Sequence, residues 1–134
     1  MAVVRVFSGA SWEENVGYCR AIKKGNFIAV SGTTAIDESG QVFEPGNAYA
    51  QVKRCFAIIE KSLGQLGASL SDVVRTRMFV TDISQWAEFG RAHREVFRDF
   101  PPACSMIEVK ALIKTGMLVE IEVDAIPPRR LFKK

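Results

Sequence analysis

Apolar and polar residues alternate along the last quarter of the chain. From Val119 to Ala125, Val119, Ile121, Val123 and Ala125 interleave with Glu120, Glu122 and Asp124, which predicts a strand with one apolar and one acidic face. Val3 to Phe7, Tyr18 to Lys24 and Phe27 to Ser31 are further strand-like runs, and Gly25-Asn26 supplies hairpin-turn chemistry between the last two. Between Val52 and Leu66 the period changes. Val52, Cys55, Phe56, Ile59, Leu63 and Leu66 fall on one face of a 3.6-residue repeat, after Asn47 as N-cap and before Gly67 as the left-handed stop. Asp37 to Gly40 is a turn and Glu44 to Asn47 a loop.

Asp72 to Val80 reads as a strand, with Val74, Met78 and Val80 on one face and Arg75 and Arg77 on the other. Asp82-x-x-Gln85 resembles a capping box opening a second helix, whose apolar stripe is Trp86, Phe89, His93, Val96 and Phe97. Pro101-Pro102 ends it. Strands Cys104 to Leu112 and Leu118 to Ile126 follow, joined through Lys114-Thr115-Gly116. The order β-β-β-α-β-α-β-β predicts a single α+β domain over residues 1–134, two helices on one face of a mostly antiparallel or mixed sheet. If Cys104 and Met106 share the outer face with the acidic residues, and Ser105, Ile107 and Val109 turn inward, that face is half apolar. Such a face is expected to pack on another subunit.

Charge changes the picture little. The formal charge is +3, but Arg129, Arg130, Lys133 and Lys134 supply four of the 18 basic residues, leaving 14 against 15 acidic ones, a net of −1 for the body. A near-neutral body lacks the basic face of a nucleic-acid binder. The tail is read as a solubilising terminus. His93 is the single histidine, which excludes a multi-histidine zinc site. Cys19, Cys55 and Cys104 form no C-x-x-C pair. With no signal-peptide pattern and no apolar run of about 18 residues, a reduced, cytoplasmic protein away from membranes is expected.

The chain has no Ser-His-Asp order, Walker loop or dinucleotide fingerprint, and Gly64-x-x-Gly67 closes a helix rather than cradling phosphate. Acid–base chemistry therefore falls to carboxylates, Tyr18, Cys104 or water. Cys55 in the apolar stripe is expected to be a buried thiol, Cys104 an interface thiol and His93 a packing residue. Arg75 and Arg77 are read as strand charges or inter-subunit ion pairs.

Four segments carry a resemblance: Gly17-Tyr18, Gly25 to Gly32, Pro102 to Val109 and Val119-Glu120-Ile121-Glu122. In order and spacing they resemble the Rid family (RidA/YjgF, also called endoribonuclease L-PSP or translation initiation inhibitor), and Val80 to Ile83 adds to the match. The resemblance implies a chorismate-mutase-like fold, a homotrimer around a central β-barrel and inter-subunit clefts for small ligands. It implies cofactor-free hydrolysis of enamines and imines, such as 2-aminoacrylate, to keto acids and ammonia. Carried over, Glu120, Tyr18 and Ser31 are the catalytic set. Gly32, Phe89, Cys104 and Met106 contact substrate.

One position departs. Active deaminases of the family carry arginine where this chain has Cys104, and an asparagine position on the second helix is Gly90. A thiol cannot pair with a substrate carboxylate, so the chain resembles an arginine-less subgroup. Arg20 is the candidate replacement, since it lies two residues from Tyr18 in an extended segment; the alternative is a solvated surface arginine. The leading reading is a cofactor-free imine or enamine hydrolase, with Glu120 activating water. A non-catalytic metabolite-binding trimer is second. An endoribonuclease or translation inhibitor is third.

Overall fold

The alternation of Val119 to Ala125 places the apolar half of that strand in the core and makes it the centre of the sheet. The computed structural model describes residues 2–129, so Arg130, Lys133 and Lys134 of the basic tail lie outside the described residues. The elements in order are β1 (Val3–Val6), α1 (Ser11–Val16), β2 (Ala21–Lys24), β3 (Phe27–Thr34), α2 (Ala48–Gln65), β4 (Val73–Val80), α3 (Trp86–Phe97), β5 (Ala103–Glu108) and β6 (Val119–Ala125). The six-stranded sheet runs β1-β2-β3-β6-β4-β5. Its pairs are antiparallel except β4 with β5, which are parallel and joined by a crossover through α3. This is a mixed α+β fold.

The core lies between the sheet and α2 with α3. Val119, Ile121, Val123 and Ala125 are fully buried with Val52, Cys55, Phe56, Ile59 and Leu63 of α2 and Phe89, Ala92 and Phe97 of α3. Each large side chain buried this way contributes about 1.5–3 kcal/mol. Asn47 caps α2 by accepting the Ala50 N–H at 2.9 Å. Its replacement by alanine is expected to lower stability by about 1 kcal/mol, read as a fall of a few degrees in Tm on thermal unfolding.

His93 sits in this core as a packing residue. Its Nε2 is 2.9 Å from Thr76 Oγ1, and its ring lies 5.7 Å from Phe56 and 4.7 Å from Phe97. Burial holds its pKa below the ordinary value and keeps the ring neutral.

Several expectations are corrected. β2 starts at Ala21, not Tyr18, because an additional helix, α1, precedes it and ends at Gly17 with φ +90°. β3 continues past Ser31 to Thr34, and β5 stops at Glu108 instead of Leu112. Val74 is not a core residue but 44% exposed, at a bulge where the β4–β6 register shifts between Val73 and Arg75. Trp86 is 63% exposed and leaves the α3 stripe to Phe89, Ala92 and Phe97.

The assignment of faces on β5 is also reversed. Met106 pairs with buried Met78 and packs on the core, and Cys104 pairs with buried Thr76. Both therefore face the helix side, while Ser105 and Ile107, paired with Arg77 and Phe79, face the open side. A one-residue difference in register exchanges every side chain between faces. The open face is still mixed: Ile107 is 49% exposed, and Arg77 bridges Glu122 at 3.5 Å and Asp124 at 3.2 Å.

Candidate functional site

The site begins at an irregularity in β3. Val30 pairs with Val123 but Thr33 pairs with Ile121, so one extra residue is accommodated across Ser31-Gly32. Glu120, near the start of β6, packs against that bulge. A Cβ placed on Gly32 would lie 2.1 Å from Glu120 Oε2 and 2.9 Å from its Cδ. The glycine is therefore required for space, and its bare Cα is the surface on which the carboxyl rests.

Glu120 makes no side-chain hydrogen bond or ion pair among the described residues. Burial is the main cause that raises its pKa; repulsion from Glu122 adds to it and attraction to Arg20 opposes it. The net direction is upward, so desolvation outweighs the one favourable charge.

Three residues converge on the same cleft. Tyr18 is set by its backbone N–H, which donates to Glu13 O at 3.0 Å just past α1. The Ser31 hydroxyl donates to Cys19 O at 2.7 Å. Its proton is thus committed, and toward a ligand it offers lone pairs only. Arg20 Nη2 donates to Gly32 O at 2.6 Å, while Arg20 Nε is buried without a partner. Arg20 is therefore partly buried in the cleft and is not a freely solvated surface arginine.

The cleft has a volume of about 930 Å³. Tyr18, Arg20, Ser31, Gly32 and Glu120 line one part of it; Trp12, Val16, Leu112, Ile113 and Met117 give it an apolar wall, and Lys114 joins them. The wall was not anticipated from sequence. A six-residue helix is too short to display a period; the available signal was Trp12 four residues before Val16, with Gly17 as the stop. α1 is held instead by Glu13, whose buried carboxylate accepts from the Ser8 N–H at 3.0 Å and from the Ser8 hydroxyl. The 110–118 segment is held by Gln51. Its amide donates to Gly116 O at 2.9 Å and accepts from Leu118 N–H at 2.8 Å.

The remaining candidates lie elsewhere. Phe89 is wholly buried in the core and does not line the cleft, so it is corrected from a ligand contact to a core residue. Cys104 and Met106 lie on β5, separated from β3 by β4 and β6, and neither lines the cleft of this chain. Cys55 is buried, and its thiol is held protonated by burial, with Glu120 adding to the effect. Among the described residues no cluster of three or more His, Cys, Asp or Glu side chains could hold a metal ion. No helix among them is long and apolar enough to cross a membrane.

Comparison with known proteins agrees with the overall fold. The model of the Endoribonuclease L-PSP family matches residues 10–127. A crystal structure of a Mycobacterium tuberculosis member of the YjgF/YER057c/UK114 family superposes with a TM-score of 0.84 at 45% identity, covering 93% of this chain and 99% of that one. A Yersinia pestis protein of the conserved Rid family, of unknown function, gives 0.81 at 28% identity, covering 93% and 99%. The 3-aminoacrylate deaminase RutC of Acinetobacter baylyi is 32% identical over 78% of this chain and 82% of its own length. With a family model spanning most of its length and these relatives beside it, the chain belongs to the Rid, or YjgF/endoribonuclease L-PSP, family.

Proposed function

We propose that this protein is a cofactor-free hydrolase of small imines and enamines, releasing ammonia and a carbonyl product. The observation that carries this reading is the Glu120 carboxyl on the bare Cα of Gly32, partly desolvated and sharing one cleft with Tyr18, Ser31 and Arg20. The deaminase activity of a relative is in line with it.

The chemistry needs one positioned carboxylate. Glu120 takes a proton from water as the oxygen attacks the C=N carbon and passes that proton to the nitrogen, giving a carbinolamine. Glu120 then takes the hydroxyl proton as C=O forms and hands it to the amine as the C–N bond breaks, so ammonia leaves and the carboxylate is regenerated. The raised pKa suits a group that must both accept and release a proton in the cycle. Ser31 accepts from the imine N–H through its free lone pairs. Tyr18 donates to the developing oxyanion or nitrogen.

The working assembly in this reading is a homotrimer with the chorismate-mutase-like fold, its sheets curled around a central barrel. The half-apolar open face with Ile107 and Phe79 would be the packing surface, and the exposed Cys104 on the edge strand β5 of a neighbouring chain would border the cleft, while Met106 stays packed on its own core. Three free cysteines suit the reducing cytoplasm.

The test is ammonia and keto-acid release from imines generated in situ by an amino-acid oxidase, followed as a function of pH. Glu120 must be ionised to act as base, so kcat/KM is expected to rise with pH through a midpoint above the ordinary carboxylate value of 4.5. If no imine in the panel is turned over while a small keto acid binds, the protein is a metabolite-binding module. Ribonuclease activity that survives loss of Glu120 and Tyr18 would place RNA chemistry outside this cleft.

A further inference from the structure

We infer that Arg20 is the anchor for a ligand carboxylate, so that the site selects small anionic α-imino and α-keto acids over their uncharged counterparts. The inference deepens the hydrolase reading and rests on it for the identity of the ligand.

The argument starts from an incomplete guanidinium. Of its five N–H donors, one has an acceptor among the described residues, the Nη2 bond to Gly32 O. Nε is buried and unpaired, and Arg20 forms no ion pair among those residues. Two other arginines are compensated by carboxylates: Arg77 meets Glu122 and Asp124, and Arg91 meets Glu88 and Glu95. A partly buried cation with open donors in a cleft of about 930 Å³ calls for an anion from outside the chain.

Geometry supplies the ligand's orientation. Gly32 makes two contacts: its carbonyl holds Arg20, and its bare Cα carries Glu120. Anchor and base are therefore tied to one residue and keep a constant relation to each other. In an α-imino acid the reactive carbon is bonded directly to the carboxylate carbon. A carboxylate on Arg20 thus delivers the C=N carbon to the neighbourhood of Glu120, while the side chain is left to the apolar wall of Trp12, Leu112 and Ile113. The bond to Gly32 O also holds the guanidinium in place before the ligand arrives, so less side-chain entropy is lost on binding. The cleft's other cation, Lys114, is on an exposed segment with no comparable tether.

The test titrates α-ketobutyrate and uncharged butanone into the full chain in its native assembly. Arg20→Gln is expected to weaken α-ketobutyrate at least about tenfold and to leave butanone unchanged, because glutamine stays polar but carries no charge. Arg20→Lys should fall between the two, and Lys114→Gln should stay within about twofold of the parent. Equal loss of both ligands in Arg20→Gln, or no loss of the acid, would overturn the inference in favour of a structural latch. If Arg20→Gln does not fold, the guanidinium nitrogen NMR signal of the parent protein decides. A shift with the acid and none with butanone supports the anchor, and no shift with the acid removes it. The two readings fail separately: Arg20-dependent acid binding without imine turnover keeps the anchor and ends the hydrolase reading. Imine hydrolysis with an unaltered KM in Arg20→Gln does the reverse.

Discussion

Glu120→Gln is expected to lower kcat for imine hydrolysis by about 10²–10⁴-fold, the range for loss of a positioned acid–base group, with KM for the imino acid little changed. Glutamine keeps the size and shape of the side chain over Gly32, so packing survives. The stability effect has a definite sign. Burial raises the folded-state pKa of Glu120 above its unfolded value, so the folded protein binds the proton more tightly. The penalty grows as pH rises through the interval between the two values and is complete above the folded one. At neutral pH the glutamine variant is therefore expected to melt at the same temperature as the parent or higher. Activity loss together with a lowered Tm would point to a structural role instead. A site group that is costly to the fold and needed for turnover is the usual form of a stability–activity trade-off.

The second large effect is expected at Gly32. In Gly32→Ala the new Cβ would meet Glu120 Oε2 at 2.1 Å, Cδ at 2.9 Å and Cγ at 3.2 Å. All three contacts are to one flexible side chain, so the carboxyl swings away and the backbone stays. Displacement by about 1 Å is enough to cost about 10²-fold in rate, whereas stability should change by less than about 1 kcal/mol because no backbone atom is struck. A double-variant cycle checks the mechanism. If Gly32→Ala acts by moving Glu120, it adds almost nothing in a Glu120→Gln background. Additive losses would mean that Gly32 acts on the substrate or on Arg20 directly.

What could be read in the sequence divides along physical lines. The stripe from Val52 to Leu66 and the alternation from Val119 to Ala125 survive folding because each element buries a continuous apolar face. The Asn47 cap and the Gly67 stop, with φ +78°, are local chemistry and need no tertiary partner. The misread positions depend on a partner. Val74 is turned out by a bulge that exists only in the pairing of β4 with β6. Met106 and Cys104 change faces because the parallel register with β4, and not the β5 sequence, decides orientation.

The candidate site divides the same way. The family resemblance points to Glu120, Tyr18, Ser31 and Gly32, the two-residue spacing from Tyr18 adds Arg20, and these five line one cleft. Phe89 was singled out too, but α3 turns its ring into the core. Trp12 and Ile113 entered only with the folded chain, since α1 is fixed by the Glu13–Ser8 contacts and the 110–118 segment by Gln51.

By itself, the sequence determined the order of most elements, the core faces of α2 and β6, the family and the chemical types available to the site. The elements and their core faces follow from periodicity and local backbone preference, which act within a few residues; the family and its site residues follow from the resemblance of the motif segments. The tertiary structure alone decided that the Ser31 proton is spent on Cys19 O, that Gly32 must lack a side chain, that Arg20 is left with open donors, and that Glu120 is desolvated beside them. Each of these depends on atoms brought together from distant parts of the chain. Hydrogen-bond completion, steric exclusion and desolvation are properties of that meeting, so no local pattern can encode them.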